Sequence, residues 1–335
     1  MTNLAPDEKE VRTLLDKLPR LRQEIGKTIV GQRTVVEELL TAFLAGGHCL
    51  LQGLPGLGKT LLVRTLAQAV DLKFARVQFT PDLMPSDIIG TEVLEEDHAT
   101  GKRFFQFNKG PLFGQIVLAD EINRTPPKTQ SALLEAMQEG SVTYGGKTYP
   151  LERPFFVLAT QNPIEQAGTY PLPEAQLDRF LLYLNIGYPE EADEFTMLAQ
   201  TTGQASAKVE PVLNTAEILR LQALAREVAI NEAMVQYAGR LVRATRDRSL
   251  PYMAKWVRWG AGPRAGQALI LAAKARALLA GRFAVTPEDL QALAAPVLRH
   301  RILLNFEAES ENVTTDDVAA ELFKLVPVPK SPLSK

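Results

Sequence analysis

The chain has 335 residues, with 37 Lys and Arg against 39 Asp and Glu, a net charge of −2 and 46% hydrophobic residues. These values suit a soluble globular protein long enough for two cores, and they give no reason to expect nucleic acid or an anionic membrane as a partner. One cysteine, Cys49, excludes an internal disulfide, and its place in an apolar run suits a buried thiol.

Met1–Glu10 mixes acids with Lys9 and lacks the apolar stretch of a signal peptide. The most apolar long helix, 265–280, is interrupted by Lys274 and Arg276, a poor membrane span. The expectation is a cytoplasmic protein. Residues 8–26 read as an amphipathic helix broken at Pro19 and closed by Gly26. The tight apolar turn Thr28-Ile29-Val30-Gly31-Gln32 follows, then a helix over 34–44. The turn is placed to touch a nucleotide's base and sugar, with a plain connector as the alternative.

The run 48–52 suits a buried strand, and 61–70 carries apolar residues at helical spacing. Between them lies Gly53-Leu54-Pro55-Gly56-Leu57-Gly58-Lys59-Thr60, the G-x-x-x-x-G-K-T phosphate loop in its strand-to-helix context, with Leu61 just behind it. Glycines let backbone N–H groups turn around a phosphate, and the helix N-terminus adds partial positive charge. Lys59 suits the β- and γ-phosphates, and the Thr60 hydroxyl suits Mg²⁺.

Further strands are expected over 74–79, 116–119, 155–160 and 180–186, with helices at 128–139 and 174–179. Two hairpins are expected, one over 92–107 turning at Asp97–Gly101 and one over 141–151 turning on Gly145-Gly146. Continuous apolar strands alternating with helices predict a parallel α/β sheet. From Tyr188 on the pattern shows no strand, only helices near 190–201, 215–228, 231–247, 263–281 and 287–305. Thr201–Pro211 reads as a linker, and the proline-rich tail from Pro327 as disordered.

Asp120 and Glu121 follow the apolar strand 116–119 and should face the crevice that holds Lys59. Asp120 suits Mg²⁺, and Glu121 suits polarising a water. Asn162 follows another strand end and suits the γ-phosphate or the water, with an Asn-Pro turn as the alternative. Arg179 suits either a comfortable helix-end cation or a finger reaching a neighbouring subunit's γ-phosphate, and Arg124 is a weaker candidate for that role. Arg264 stands in the first turn of a helix opened by Pro263, against the dipole, which suggests a nearby anion. The window 240–264 holds seven Lys and Arg and one acid, Asp247, and suits a solvated face or an acidic or nucleic-acid partner. His48, His98 and His300 have no metal-site spacing.

Together, the stretches 53–60, 116–121, Ala159-Thr160-Gln161-Asn162-Pro163, 172–180 and Gly262-Pro263-Arg264-Ala265 closely resemble the MoxR family of AAA+ ATPases over about residues 20–320. So do Leu298–Arg301 and Leu304–Glu307. The resemblance implies a P-loop NTPase core over 1–188, an αβα sandwich on a parallel five-stranded sheet in the order 5-1-4-3-2, carrying the two hairpins as insertions. It implies an all-α lid over 189–326 and a tail over 327–335. By the same resemblance Asn162 is sensor 1, Arg179 the arginine finger and Arg264 sensor 2, and Ile29, Val30, Gly31 and Gln32 line the adenine pocket. It also implies ATP and Mg²⁺ as cofactors and a homo-oligomeric, usually hexameric ring. The function implied is a chaperone-like motor acting on a protein client, with a von Willebrand factor A-domain partner in maturation of metal or cofactor enzymes. The alternatives are a magnesium-chelatase-like ATPase subunit, a nucleic-acid motor, a nucleotide-gated scaffold and a small-molecule kinase. Membrane is not expected as a partner, and nucleic acid is the less favoured one.

Overall fold

The computed structural model describes residues 8–96, 103–162, 168–202 and 208–329. The turn at Asp97–Gly101 with His98, Pro163, part of the linker and the end of the tail lie outside the described residues.

In chain order the elements are α1 (Glu8–Gly26), α2 (Arg33–Ala45), β1 (Cys49–Gly53), α3 (Lys59–Ala69), β2 (Phe74–Gln78), α4 (Pro85–Ile89), β3 (Gly90–Glu96) and β4 (Arg103–Lys109). Next come β5 (Ile116–Asp120), α5 (Pro127–Glu139), β6 (Ser141–Tyr144), β7 (Lys147–Pro150), β8 (Phe156–Gln161), α6 (Glu174–Leu177) and β9 (Leu182–Ile186). The remainder is α7 (Glu191–Thr201), α8 (Thr215–Glu227), α9 (Glu232–Ala244), α10 (Pro251–Trp256), β10 (Val257–Trp259), α11 (Pro263–Leu279), α12 (Pro287–Leu298), β11 (Leu303–Leu304), α13 (Phe306–Ser310) and α14 (Thr315–Leu325).

Five strands form one sheet in the order β2-β5-β8-β1-β9, every neighbouring pair parallel, which is the order the resemblance implied. Strand residues alternate between its faces. Leu50, Val117, Ala119, Val157 and Ala159 pack with Leu133, Leu134 and Met137 of α5 on one face. Cys49, Leu51, Ile116, Leu118 and Leu158 pack on the other with α2, α3 and the later helices. Because both faces are covered, the central strands β5 and β8 are apolar along most of their length rather than alternating, whereas the edge strand β2 carries Arg76 and Gln78. Both hairpins form, β3 with β4 and β6 with β7. They touch through Phe107, whose ring stacks on Tyr149 at 4.4 Å between centroids.

Besides α10, absent from the sequence expectations, three details depart from them. α1 runs through Pro19 unbroken, because Leu14, Leu18, Leu21 and Ile25 bury one stripe against the core. That packing outweighs a proline cost of about 3 kcal/mol. The strand-free reading after Tyr188 misses a short antiparallel ribbon, β10 with β11, in which Trp259 opposes Leu303. The single helix expected over 287–305 ends at Leu298, and α13 and α14 follow it. α11 is the hub of the later helices, an Ala- and Leu-rich rod with nine buried residues that α2, α8, α9 and α12 surround.

Candidate active site

The chain turns sharply after β1. A Cβ on Gly53 would meet Ile186 Cγ2 at 2.0 Å, so only glycine lets β1 lie this close to β9 there. Gly56 and Gly58 take φ of 84° and 73°, the left-handed region that glycine occupies without strain. Gly58 caps α3, and Lys59 is its first residue. The Lys59 ammonium donates to Gly53 O at 2.6 Å, folding back over its own loop. Burial pushes the Lys59 pKa down, and the negative charges of Asp120 and Glu121 oppose that shift. The three groups thus share one electrostatic neighbourhood.

Asp120 ends β5 and is buried. Its Oδ2 accepts from the Arg76 guanidinium of β2 at 2.8 and 3.3 Å, and its Oδ1 accepts the Thr160 hydroxyl of β8 at 2.7 Å. The same hydroxyl accepts the Glu121 backbone N–H at 2.8 Å. Glu121 itself sits at φ 57°, ψ 51°, a left-handed conformation that costs a non-glycine residue about 1 kcal/mol. Its Oε2 accepts from Gln78 Nε2 at 2.8 Å and from Arg124 at 3.1 Å.

Asn162 is buried and follows Gln161, which pairs with Gln52 of β1, so it stands beside the first residue of the glycine loop. The 28–32 turn reaches the same edge of the sheet: Gln32 Nε2 donates to Gly187 O at 2.9 Å, one residue past β9. Ile29, Val30 and Gly31 line a cavity of about 660 Å³ together with Asp193, Thr196 and Gln200 of α7. Gly31 takes φ 74°, and a Cβ there would meet Asp193 Cβ at 2.7 Å. The neighbouring Thr28 Oγ1 is buried without a hydrogen-bond partner. Gln32 and the glycine loop do not line this cavity.

The residues that fit Mg²⁺ are Thr60, in the first turn of α3, and Asp120. Among the described residues no group of three or more His, Cys, Asp or Glu gathers that could hold a metal ion. Phosphate oxygens and water would complete the coordination, as suits an ion that keeps few protein ligands.

The two remaining candidates stand elsewhere. Leu181 N donates to His48 O at 2.8 Å, so Arg179, two residues earlier, lies at the end of the sheet where β1 begins. Gly53, paired with Ile186, lies at the end where β1 stops, about 16 Å away along the strand. Arg179 is exposed and borders α5 beside Ser131, Glu135 and Glu139. Arg264 joins it there, its guanidinium 3.5 Å from Asp178 Oδ2. Asp178 Oδ1 accepts from Arg301, which also donates to Phe180 O and Leu181 O. Burial pushes the Arg301 pKa down, and the carboxylate of Asp178 opposes that shift. Arg124 is engaged within its own chain by Glu121. The structure therefore gathers Lys59, Thr60, Asp120, Glu121 and Asn162 at one edge and Arg179 with Arg264 at the other.

A parallel sheet of this order, with a glycine loop after its first strand and paired acids after the strand two places away, defines a P-loop ATPase of the AAA+ class. The family model for the ATPase family associated with various cellular activities (AAA) matches residues 48–182, and that for the AAA lid domain matches 253–322. The chain is 43% identical to Chaperone MoxR1 of Mycobacterium tuberculosis over 93% of its length and 82% of that protein's. It is 31% identical to Protein MoxR of Methylorubrum extorquens over 98% of its length and all of that protein's. A crystal structure of a candidate ATPase from Cytophaga hutchinsonii superposes with a TM-score of 0.89 at 42% identity, covering 96% of this chain and 98% of that one. The chain belongs to the MoxR family of AAA+ ATPases.

Sequence reasoning missed Arg76, Gln78 and Thr160, which hold the two acids, and Asp178 and Arg301, which hold Arg264. Each makes its contact across a sheet or between distant helices, and no local motif announces it.

Proposed function

We propose that this chain hydrolyses ATP to ADP and phosphate as one subunit of a homo-oligomeric, six-membered ring that remodels a protein client. The observation that carries this reading is the convergence of Lys59, Asp120 and Glu121 at the end of the sheet where the glycine loop opens. Lys59 and the loop N–H groups would bind the phosphates, and Thr60 and Asp120 would hold Mg²⁺. The ion when bound neutralises charge developing on the phosphates. Glu121 would take a proton from the attacking water, and Asn162 would orient that water from the next strand. The 28–32 turn would hold the base, with Thr28 Oγ1 free to bond it.

Arg179 and Arg264 stand at the far end of the sheet from their own chain's glycine loop, which supports a role on another triphosphate. They would act on the neighbour's, adding positive charge where the transition state gathers negative charge. In the cycle, residues 189–326 move as a lid against a core over 1–188, and the hairpins, coupled through the Phe107–Tyr149 stack, pass that motion to the client. A relative called a chaperone supports a protein client; a client whose maturation needs a metal or cofactor, and a von Willebrand factor A-domain protein as partner, complete the proposal.

The test is turnover of Glu121→Gln. Loss of the proton acceptor should lower kcat by about 100-fold or more while ATP binding is retained. Wild-type turnover would remove Glu121 from the reaction. The trapped variant then serves as bait for the client.

A further inference from the structure

Asp120 needs a positive partner. Its side chain is only 11% exposed, and a carboxylate that is nearly buried is costly unless an opposite charge is paired with it. Lys59, the cation of the glycine loop, does not fill that role, because its ammonium points at Gly53 O, 2.6 Å away. Arg76 does. Its guanidinium sits on Asp120 Oδ2, with Nη2 at 2.8 Å and Nε at 3.3 Å. Two N–H donors occupy the two lone-pair positions of that oxygen. The Thr160 hydroxyl takes one of the positions on Oδ1, at 2.7 Å. The acid that fits Mg²⁺ is therefore already paired with a cation of its own chain.

The two partners of Asp120 differ in how readily they can leave. Thr160 is fully buried in β8 and also accepts the Glu121 N–H, so it is fixed. Arg76 lies on β2, the edge strand of the sheet, with 47% of its side chain exposed. In the register of β2 with β5 it pairs with Leu118, two residues before Asp120, and reaches the acid diagonally along one face. Its Nη2 also donates to Gln78 Oε1 at 2.8 Å, an exposed contact. A guanidinium so placed can turn into water at small cost.

We propose that Arg76 is a stand-in cation at the Mg²⁺ site. It holds Asp120 Oδ2 while no metal is bound and yields that oxygen when the ion arrives with the nucleotide. Two cations on one carboxylate repel each other, so Arg76 weakens metal binding while it keeps the acid in place for the ion. Metal binding is then an exchange of one cation for another. The proposal rests on the reading of Asp120 as a Mg²⁺ residue, and it makes Arg76 a positioning residue that acts through Asp120.

The test uses Mn²⁺ as the probe, because its paramagnetic resonance reports binding without turnover. Affinity for Mn²⁺ is measured on the full chain saturated with ADP. Arg76→Gln should tighten Mn²⁺ binding about tenfold, the scale of one charge-assisted pair. Asp120→Asn should weaken it, and adding Arg76→Gln to Asp120→Asn should then change nothing. The wild-type chain offers a check that no folding defect can disturb. With ADP bound, modification of Arg76 by phenylglyoxal, followed by mass spectrometry, should speed up about threefold when Mg²⁺ is added, as an exposed ion pair is released. Unchanged or weaker Mn²⁺ binding in Arg76→Gln, or a modification rate that Mg²⁺ leaves unaltered, would overturn the proposal. Wild-type Mn²⁺ affinity in Asp120→Asn would remove Asp120 from the metal site and the proposal with it. Weakened binding in Asp120→Asn beside unaltered binding in Arg76→Gln keeps Asp120 at the metal and discards the role of Arg76 alone.

Discussion

At the scale of single residues, the Thr160 hydroxyl donates to Asp120 and accepts from the Glu121 backbone, so one oxygen sets the positions of both acids. Thr160→Val keeps the shape of the side chain and removes both hydrogen bonds. Turnover should fall about 10- to 100-fold, the usual cost of losing a group that orients a metal-site ligand, while ATP affinity changes little. Equal kcat in the two proteins, measured at saturating ATP, would show that the acids hold themselves. Lys59→Ala should act differently, lowering nucleotide affinity because the ammonium is the one cation in the loop itself. Asp120, Glu121, Lys59 and Thr60 were readable because their motifs are contiguous and each is tied to a strand end. Thr160 was not. It lies forty residues from Asp120, and only the register of β5 beside β8 brings them together.

At the scale of elements, α2 carries a carboxyl whose burial changes how the fold responds to pH. Glu38 is pushed up to about 7 by burial; Arg299 opposes the shift and Asp316 adds to it. Arg299 is itself committed to Asp316 at 2.7 and 2.8 Å, so it only partly serves Glu38. The folded chain therefore holds the Glu38 proton more tightly than the unfolded chain does. The stability this lends is complete below the ordinary carboxyl range near 4.5 and is lost as pH rises through about 7. Between pH 5 and pH 8 the wild type should lose on the order of 2 kcal/mol more than Glu38→Gln. Urea unfolding of both proteins at the two pH values checks this, and parallel losses would contradict it.

Elements were mostly legible from apolar periodicity, which reports burial. Where the readings failed, another force had won. Pro19 stays inside α1 because four buried side chains hold the helix against the core. β10 and β11 are too short to show alternation, and what joins them is the fold that brings Trp259 to Leu303.

At the scale of the whole molecule, the candidate residues stand in two groups. The sheet puts Lys59 and Glu121 at one end of its strands and Arg179 at the other, and the ion pair of Arg264 with Asp178 keeps Arg264 with Arg179. The sequence marks Arg179 and Arg264 as unusual cations, but which end of the sheet they occupy depends on strand direction and register. Asp178→Ala tests the joint that holds this arrangement. Removing the carboxylate strands the buried Arg301 charge and should cost about 3–5 kcal/mol of stability, read as a lowered urea midpoint. A shift of under 1 kcal/mol would show that the backbone carbonyls alone satisfy Arg301.

The most direct measurement is ATP turnover in mixtures of Lys59→Ala and Arg179→Ala subunits. Each variant alone should be inactive, and in an equimolar mixture about one interface in four pairs an intact Lys59 with an intact Arg179. Turnover that reappears on mixing, near a quarter of the wild-type rate, is the expected result. No recovery, or full activity of Arg179→Ala by itself, would contradict a site divided between subunits.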